Sequence, residues 1–432
     1  MGNEMHVDVL PPAAIGEWSR VQGVIRGHPR LPRRGGTFFF DVPATALDWL
    51  AIRGRRDDLH DAFLRATIWS AMEVGGELTI HGRVSASLLA NLERYQEIVC
   101  RWWPEYRPAL LRADEEVGDE DAAATVGHVA RHGAALLAFS GGLDSVESLA
   151  SHKGGRRGRN SVDIAACAFV HGFDIPLGDA AFSGALARGR TLTDLYATPL
   201  LVVRSNLKEL LPLWETTFSA GIGAVLSLFE RRFEIGLLAA SSAYENAHWI
   251  ASKDGSTPWS DPLLSSSTFR LVPDLAVTRV EKTERLAGED AVWRNLRVCW
   301  QGEDLATNCG RCEKCVRQML CMRACGITDF SAFAAPLEPA TVLAMRLPMP
   351  VVVEEWRRCY EHACACGRGG DPVFLAAKHV IDAASDGAIG TARWGLRGLG
   401  GRIRRRARRL WSRWSSPRRA GDGGGQPATR VR

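Results

Sequence analysis

Two stretches of the chain carry residues whose types and spacing can do chemistry. Ser140-Gly141-Gly142-Leu143-Asp144-Ser145 sets two glycines, two hydroxyls and a carboxylate within six positions. Paired glycines let the backbone approach a ligand closely, and hydroxyls and free amides donate to anionic oxygens. Asp144 beside a phosphate could hold a magnesium ion, while Asp144 and Ser145 could equally cap an ordinary turn. The second stretch places Cys299, Cys309, Cys312 and Cys315 in the pattern C-x9-C-x2-C-x2-C, with Gly310 free to make the turn. Four thiolates close a tetrahedral zinc site with no open position, so the ion there is expected to be structural. An iron–sulfur cluster would use the same ligands.

The elements that must position these residues can be read outward from the glycine loop. Leu136 to Phe139 is an apolar run before the loop and Val146 onward is helix-compatible, giving strand, loop, helix. In that order the first unpaired helix amides and the helix dipole face the loop, which is how a chain builds an anion site. Ile164 to Val170 and Leu200 to Val203 are further apolar strands separated by helical segments. Such alternation predicts an α/β parallel sheet with helices on both faces and with ligands at the strands' carboxyl ends. His171 and Asp174 follow the second strand and Arg204 the third. Asp174 there is either a hydrogen-bond acceptor for a nucleoside or a turn carboxylate. Arg204 is either a fork for phosphate or carboxylate or a surface arginine. Ser219 to Arg231 reads as a nearly apolar helix. Ala239 to Asp261 reads as a loop-rich wall with Glu245, Ser256 and Asp261 as its polar candidates, and Lys282 lies on a helix from which it could reach a phosphate or simply face water.

Residues 1–118 read as a separate N-terminal α+β domain. It has strands at Gly36 to Val42 and Glu77 to His81, a helix between them, and another from a Ser85 cap to Trp103, ended by Pro104. Trp102, Trp103 and Tyr106 are expected to pack. The acidic run from Asp114 to Asp121, DEEVGDED, is placed as the connector to a domain over 130–328, followed by a helical extension over 329–392 and a basic tail over 393–432. Cys321 and Cys325 are expected to be packing residues. Cys359, His362, Cys364 and Cys366 form a second patch whose spacing fits no zinc module.

The chain of 432 residues carries a net charge of +5 that hides an asymmetry. Thirteen arginines and one acid give +12 within 393–432, so residues 1–392 carry −7. Along the tail Leu399, Ile403, Ala407, Leu410, Trp411 and Trp414 recur at helical spacing among the arginines, a pattern that suits an anionic membrane surface, nucleic acid or plain solvent. No apolar run is long enough to span a bilayer and no secretory signal opens the chain, which points to the cytoplasm, with the inner membrane face as a peripheral site. Eleven cysteines, an odd number with four clustered, argue for a reducing compartment and a metal site over a disulfide framework.

The hexapeptide after an apolar strand resembles the pyrophosphate (PP) loop, SGGxDS, of the adenine-nucleotide α-hydrolase-like ATP pyrophosphatases. Together with the four cysteines some 150 residues on, the stretch Ala134 to Gly326 resembles the 7-cyano-7-deazaguanine synthases (QueC-like proteins). The resemblance implies an ATP-dependent C–N ligase that cleaves Mg-ATP to AMP and pyrophosphate, adenylates an oxygen of an acid or carbonyl substrate, and then transfers nitrogen to it. It further implies Ser140, Gly141, Gly142, Asp144 and Ser145 as the phosphate loop and the four cysteines on zinc; from their places in the sequence, Leu143, Asp174 and Arg204 are expected with that loop at ATP, and Asp144, Ser145 and Lys282 are expected to be the catalytic residues. The whole chain also looks like the longer synthase-like proteins of antiphage and glycan-related gene sets. That likeness implies protein partners and a protein or nucleic-acid substrate as the alternative, and a homo-oligomer is compatible with either.

Overall fold

The computed structural model describes residues 4–29, 36–50, 59–126, 133–211, 213–245, 250, 253–347 and 349–394. The chain divides into Met1–Ile381 and Asp382–Arg432. The first unit is mixed α/β, built on one ten-stranded sheet: β1 Glu4–Ile15, β2 Trp18–Arg26, β3 Gly36–Pro43, β4 Gly76–Ser85, β5 Ala109–Val117, β6 Ala134–Ala138, β7 Asp163–His171, β8 Leu200–Ser205, β9 Ile235–Leu238 and β10 Arg270–Pro273. The helices that matter below are α1 Asp61–Val74, α2 Ala86–Trp102, α3 Asp119–Val126, α4 Leu143–Lys153, α5 Ala181–Asp194, α6 Trp214–Ser227, α7 Arg279–Arg285, α8 Glu313–Ala324, α9 Pro350–Ala365 and α10 Pro372–Trp394. Among the described residues no helix is long and apolar enough to cross a membrane.

The strand order is β10-β9-β6-β7-β8-β3-β2-β1-β4-β5. From β10 to β8 all neighbours are parallel. Counted from β6 as the first strand, this half runs 5-4-1-2-3, so the order reverses at β6, and in doubly wound sheets the ligand crevice opens at such a reversal. The sequence of β6, AALLA, is apolar because the strand is central: its first four residues are buried. Its alternate side chains feed two different cores. Ala134 and Leu136 join Ala166, Ala168 and the α6 residues Ala220 and Ala224. Leu137 joins Val146 and Leu149 of α4, Met319 of α8 and Trp356 of α9.

The break expected near residue 118 is crossed by this sheet. β3 pairs antiparallel with β8 through Phe40↔Ser205 and Asp41↔Arg204, so the first five strands extend the same sheet. α1, buried at every position but Glu73, packs against α6, and Phe38, Phe40 and Trp69 share a core with Leu136. The whole sheet is therefore mixed: β10 to β8 are parallel, the pairs β8–β3, β3–β2 and β2–β1 are antiparallel, and β1, β4 and β5 are parallel again. The acidic run expected as a connector is the end of β5 and the start of α3. Its carboxylates suit a sheet edge, where charge discourages further strand pairing.

Of the other local expectations, the packing of the aromatics holds, while the Ser85 cap and the role of Cys321 do not. Ser85 precedes α2, but its hydroxyl donates to Asp61 Oδ2 at 2.7 Å and does not cap the helix. Trp103 and Tyr106 pack on Trp69. Cys321, expected only to pack, is joined to Cys359 by a disulfide with Cα atoms 5.3 Å apart, which ties α8 to α9. The periodic tail residues from Leu399 onward lie outside the described residues.

Candidate active site and metal centre

The loop leaves the carboxyl end of β6 and enters α4. Gly141 has φ +74°, a left-handed conformation that strongly favours glycine. The loop closes on itself: Ser145 Oγ donates to the Gly142 carbonyl at 3.1 Å and accepts from the Ser140 amide at 3.3 Å, while Gly142 N–H donates to Ser140 Oγ at 3.3 Å. Both hydroxyls thus shape the loop before they can serve a ligand. Gly142, at the N-cap of α4, offers no side-chain cap, which leaves the first amides of α4 for an anion.

Charged side chains from distant elements surround this loop. Lys282 of α7, almost wholly buried, donates to Asp144 Oδ1 and to the Ala240 carbonyl, both at 2.5 Å. Arg279, one turn earlier, stands 3.8 Å from Asp144 Oδ2. Burial works against ionisation of Asp144, yet Lys282, Arg279 and Lys314 outweigh it and hold the carboxyl below its usual range. Arg297, only 5% exposed, donates to Asp174 Oδ2 at 3.1 Å and to the Ser140 carbonyl at 3.2 Å, and its own amide bonds to the Gly141 carbonyl at 2.9 Å.

Two adjoining cavities open here, sharing Ser140, Asp144, Asp174 and Arg297. The larger, about 260 Å³, is walled by Phe169, Phe173, Phe182, Trp214, Phe218 and other apolar side chains. The smaller, about 120 Å³, is polar and adds Gly142, Arg279, Trp300 and Lys314.

Of the residues expected at the site, Ser140, Asp144, Ser145 and Asp174 line the larger cavity, Gly142 and Leu143 line the smaller, and Lys282 reaches Asp144. Gly141 supplies the turn. Arg204 is not brought here: it lies across the β8–β3 pair, 3.9 Å from buried Asp41 and over the ring of Trp18. His171 stacks on Phe182 and points its Nε2 at the Pro176 carbonyl. Ser256 lines the larger cavity and donates to Asp261, while Glu245 is exposed and 4.0 Å from Arg358. Arg279, Arg297 and Lys314 were not expected. The hints were the places of Arg297, two residues before the first clustered cysteine, and of Lys314, between the last two.

Cys299, Cys309, Cys312 and Cys315 converge, with all four Sγ atoms within 4.8 Å of one another. The Sγ separations of 3.6, 3.7 and 3.9 Å match the ~3.8 Å edge of a tetrahedron with metal–sulfur bonds of about 2.3 Å. Amides of Arg311 and Cys312 donate to Cys309 Sγ, as suits a thiolate. Gly310 has φ +71°, and a Cβ there would meet the Ala335 carbonyl oxygen at 2.4 Å. Buried Asn308 holds the knuckle shut, accepting from the amides of Val298 and Cys299 and donating to the carbonyls of Leu296 and Ala332. The donor set fits a metal such as zinc.

Comparison with known proteins gives one match, a family model described as a family of unknown function (DUF6395), over residues 271–394. That span includes α7 and the cysteine knuckle and stops short of the glycine loop. No curated protein and no solved structure matches the chain.

Proposed function

We propose that this protein is an ATP-dependent ligase of the ATP-pyrophosphatase type, cleaving ATP to AMP and pyrophosphate while adenylating a carboxylate or carbonyl oxygen before nitrogen transfer. The observation that carries the reading is a glycine loop with uncapped helix amides, set at the strand-order reversal of a parallel half-sheet and ringed by Lys282, Arg279 and Arg297. Apolar cores on both sides of β6 agree with a doubly wound, adenine-nucleotide α-hydrolase-like half. The apolar cavity suits a nucleoside and the polar one a polyphosphate.

In this reading the amides at the start of α4 and the guanidiniums of Arg279 and Arg297 bind the phosphates and hold them in line for attack. Lys282 orients Asp144. Asp144 and Asp174 face both cavities, and they would hold magnesium, which supplies charge neutralisation on the phosphates. Zinc in the knuckle is structural, and a cytoplasmic location follows from the same reading. Incubation of the purified chain with Mg-ATP and a panel of candidate acids, read by mass, tests it: AMP and pyrophosphate in equal amounts are expected, and ADP as the only product overturns it.

A further inference from the structure

We propose that the four-cysteine knuckle builds the pyrophosphate-binding subsite of the nucleotide pocket, with Lys314 as its phosphate ligand, so that metal occupancy is a condition of polyphosphate binding. The inference rests on the reading that the two cavities take ATP.

A nucleotide is planar and apolar at one end and polyanionic at the other, and the two cavities divide in the same way. Phe169, Phe173 and Trp214 wall the larger, whereas the smaller contains the start of α4 together with Arg279, Arg297 and Lys314. The shared residues Ser140, Asp144, Asp174 and Arg297 then fall at the junction, where the α-phosphate must sit.

The charges of the smaller cavity are only partly matched. Lys282 is committed to Asp144, Arg297 to Asp174, and Arg279 is shared between Asp144 and Glu355. Buried Arg297 still has an Nε without a hydrogen-bond partner. Among the described residues no carboxylate lies within ion-pair distance of Lys314, whose ammonium stands 5.3 Å from the ring centre of Trp300. A second, bulky anion is what this arrangement lacks, and pyrophosphate supplies the charge.

The wall that carries these cations is the knuckle itself. Trp300 follows Cys299, Lys314 stands between Cys312 and Cys315, and Val298 and Cys299 also line the cavity. Arg297 is bonded to the glycine loop on one side and leads into Cys299 on the other. With four thiolates on one ion, this wall is fixed against the loop, and without the ion those segments lose their cross-link.

The test is calorimetry on the full chain with inorganic pyrophosphate and with AMP, metal content being measured in parallel. The chain as purified is expected to bind both. Lys314→Ala should keep its metal, bind AMP as before, and lose roughly tenfold or more in pyrophosphate affinity, the usual cost of one charged hydrogen bond to phosphate. Stripping the metal with a chelator should remove pyrophosphate binding, and re-adding zinc should restore it. Pyrophosphate affinity within about twofold of the parent in Lys314→Ala, or unchanged after stripping, overturns the subsite while leaving the nucleotide reading standing. If the parent chain binds neither AMP nor pyrophosphate, the nucleotide reading itself fails.

Discussion

Replacing Asp144 by asparagine separates two roles that the geometry gives this carboxylate. It neutralises Lys282 at 2.5 Å and Arg279 at 3.8 Å, and it faces both cavities where a metal-bound phosphate would lie. Asp144→Asn keeps the shape and an acceptor oxygen for Lys282 but removes a full negative charge. A unit charge about 6 Å from a phosphate, at an effective dielectric of about 20, repels it by ~3 kcal/mol. Screening in an open cavity reduces this, so metal-free pyrophosphate should bind about tenfold more tightly to the variant. With magnesium the sign reverses, because the substitution removes a metal ligand, and AMP formation should fall roughly a hundredfold. Calorimetry without magnesium and initial rates of AMP release with it read the two effects separately. AMP formation at the parent rate would refute the catalytic role and leave Asp144 as an ion-pair partner only.

Two further predictions concern stability. Lys282→Met leaves Asp144 and the Ala240 carbonyl without their shared donor; breaking a buried pair costs about 3 to 5 kcal/mol, and the 28% exposure of the Asp144 side chain puts the loss near the lower end, to be read from denaturant titration. Glu230 is pushed up to about 8 by burial and by Asp61, so it is protonated in the fold, whereas the unfolded chain releases that proton near pH 4. Its stabilising contribution is therefore complete below about pH 4 and lost as pH rises toward about 8; Glu230→Gln should flatten the decline of melting temperature across that window, and an unchanged slope would place the decline elsewhere.

The parts of the site legible in the sequence are those whose chemistry is contiguous. A turn with φ +74° at Gly141 favours glycine, and a metal that gathers Cys309, Cys312 and Cys315 within seven residues needs short spacing, so both leave a local signature. Arg279 leaves none, and Arg297 and Lys314 leave only their places beside and within the cysteine pattern. They are ordinary basic residues, and what makes them a set is the path by which α7 and the knuckle return to β6 more than 130 positions after the loop.

The errors over the N-terminal half and over Arg204 have one physical cause. The carboxylates of β5 read as a linker because charge on an edge strand is indistinguishable, residue by residue, from charge in a loop; the burial pattern of Ala109–Val117 alternates only over its first four residues before turning acidic. With a boundary placed there, β8 becomes the outer strand of a purely parallel sheet, and an arginine at its carboxyl end faces a ligand crevice. Once β3 is added antiparallel to β8, the same arginine lies opposite Asp41 in the strand register and over Trp18, where it serves the sheet. A pairing between strands some 160 residues apart leaves no periodicity in either strand. That one long-range contact decides both the domain boundary and the role of Arg204.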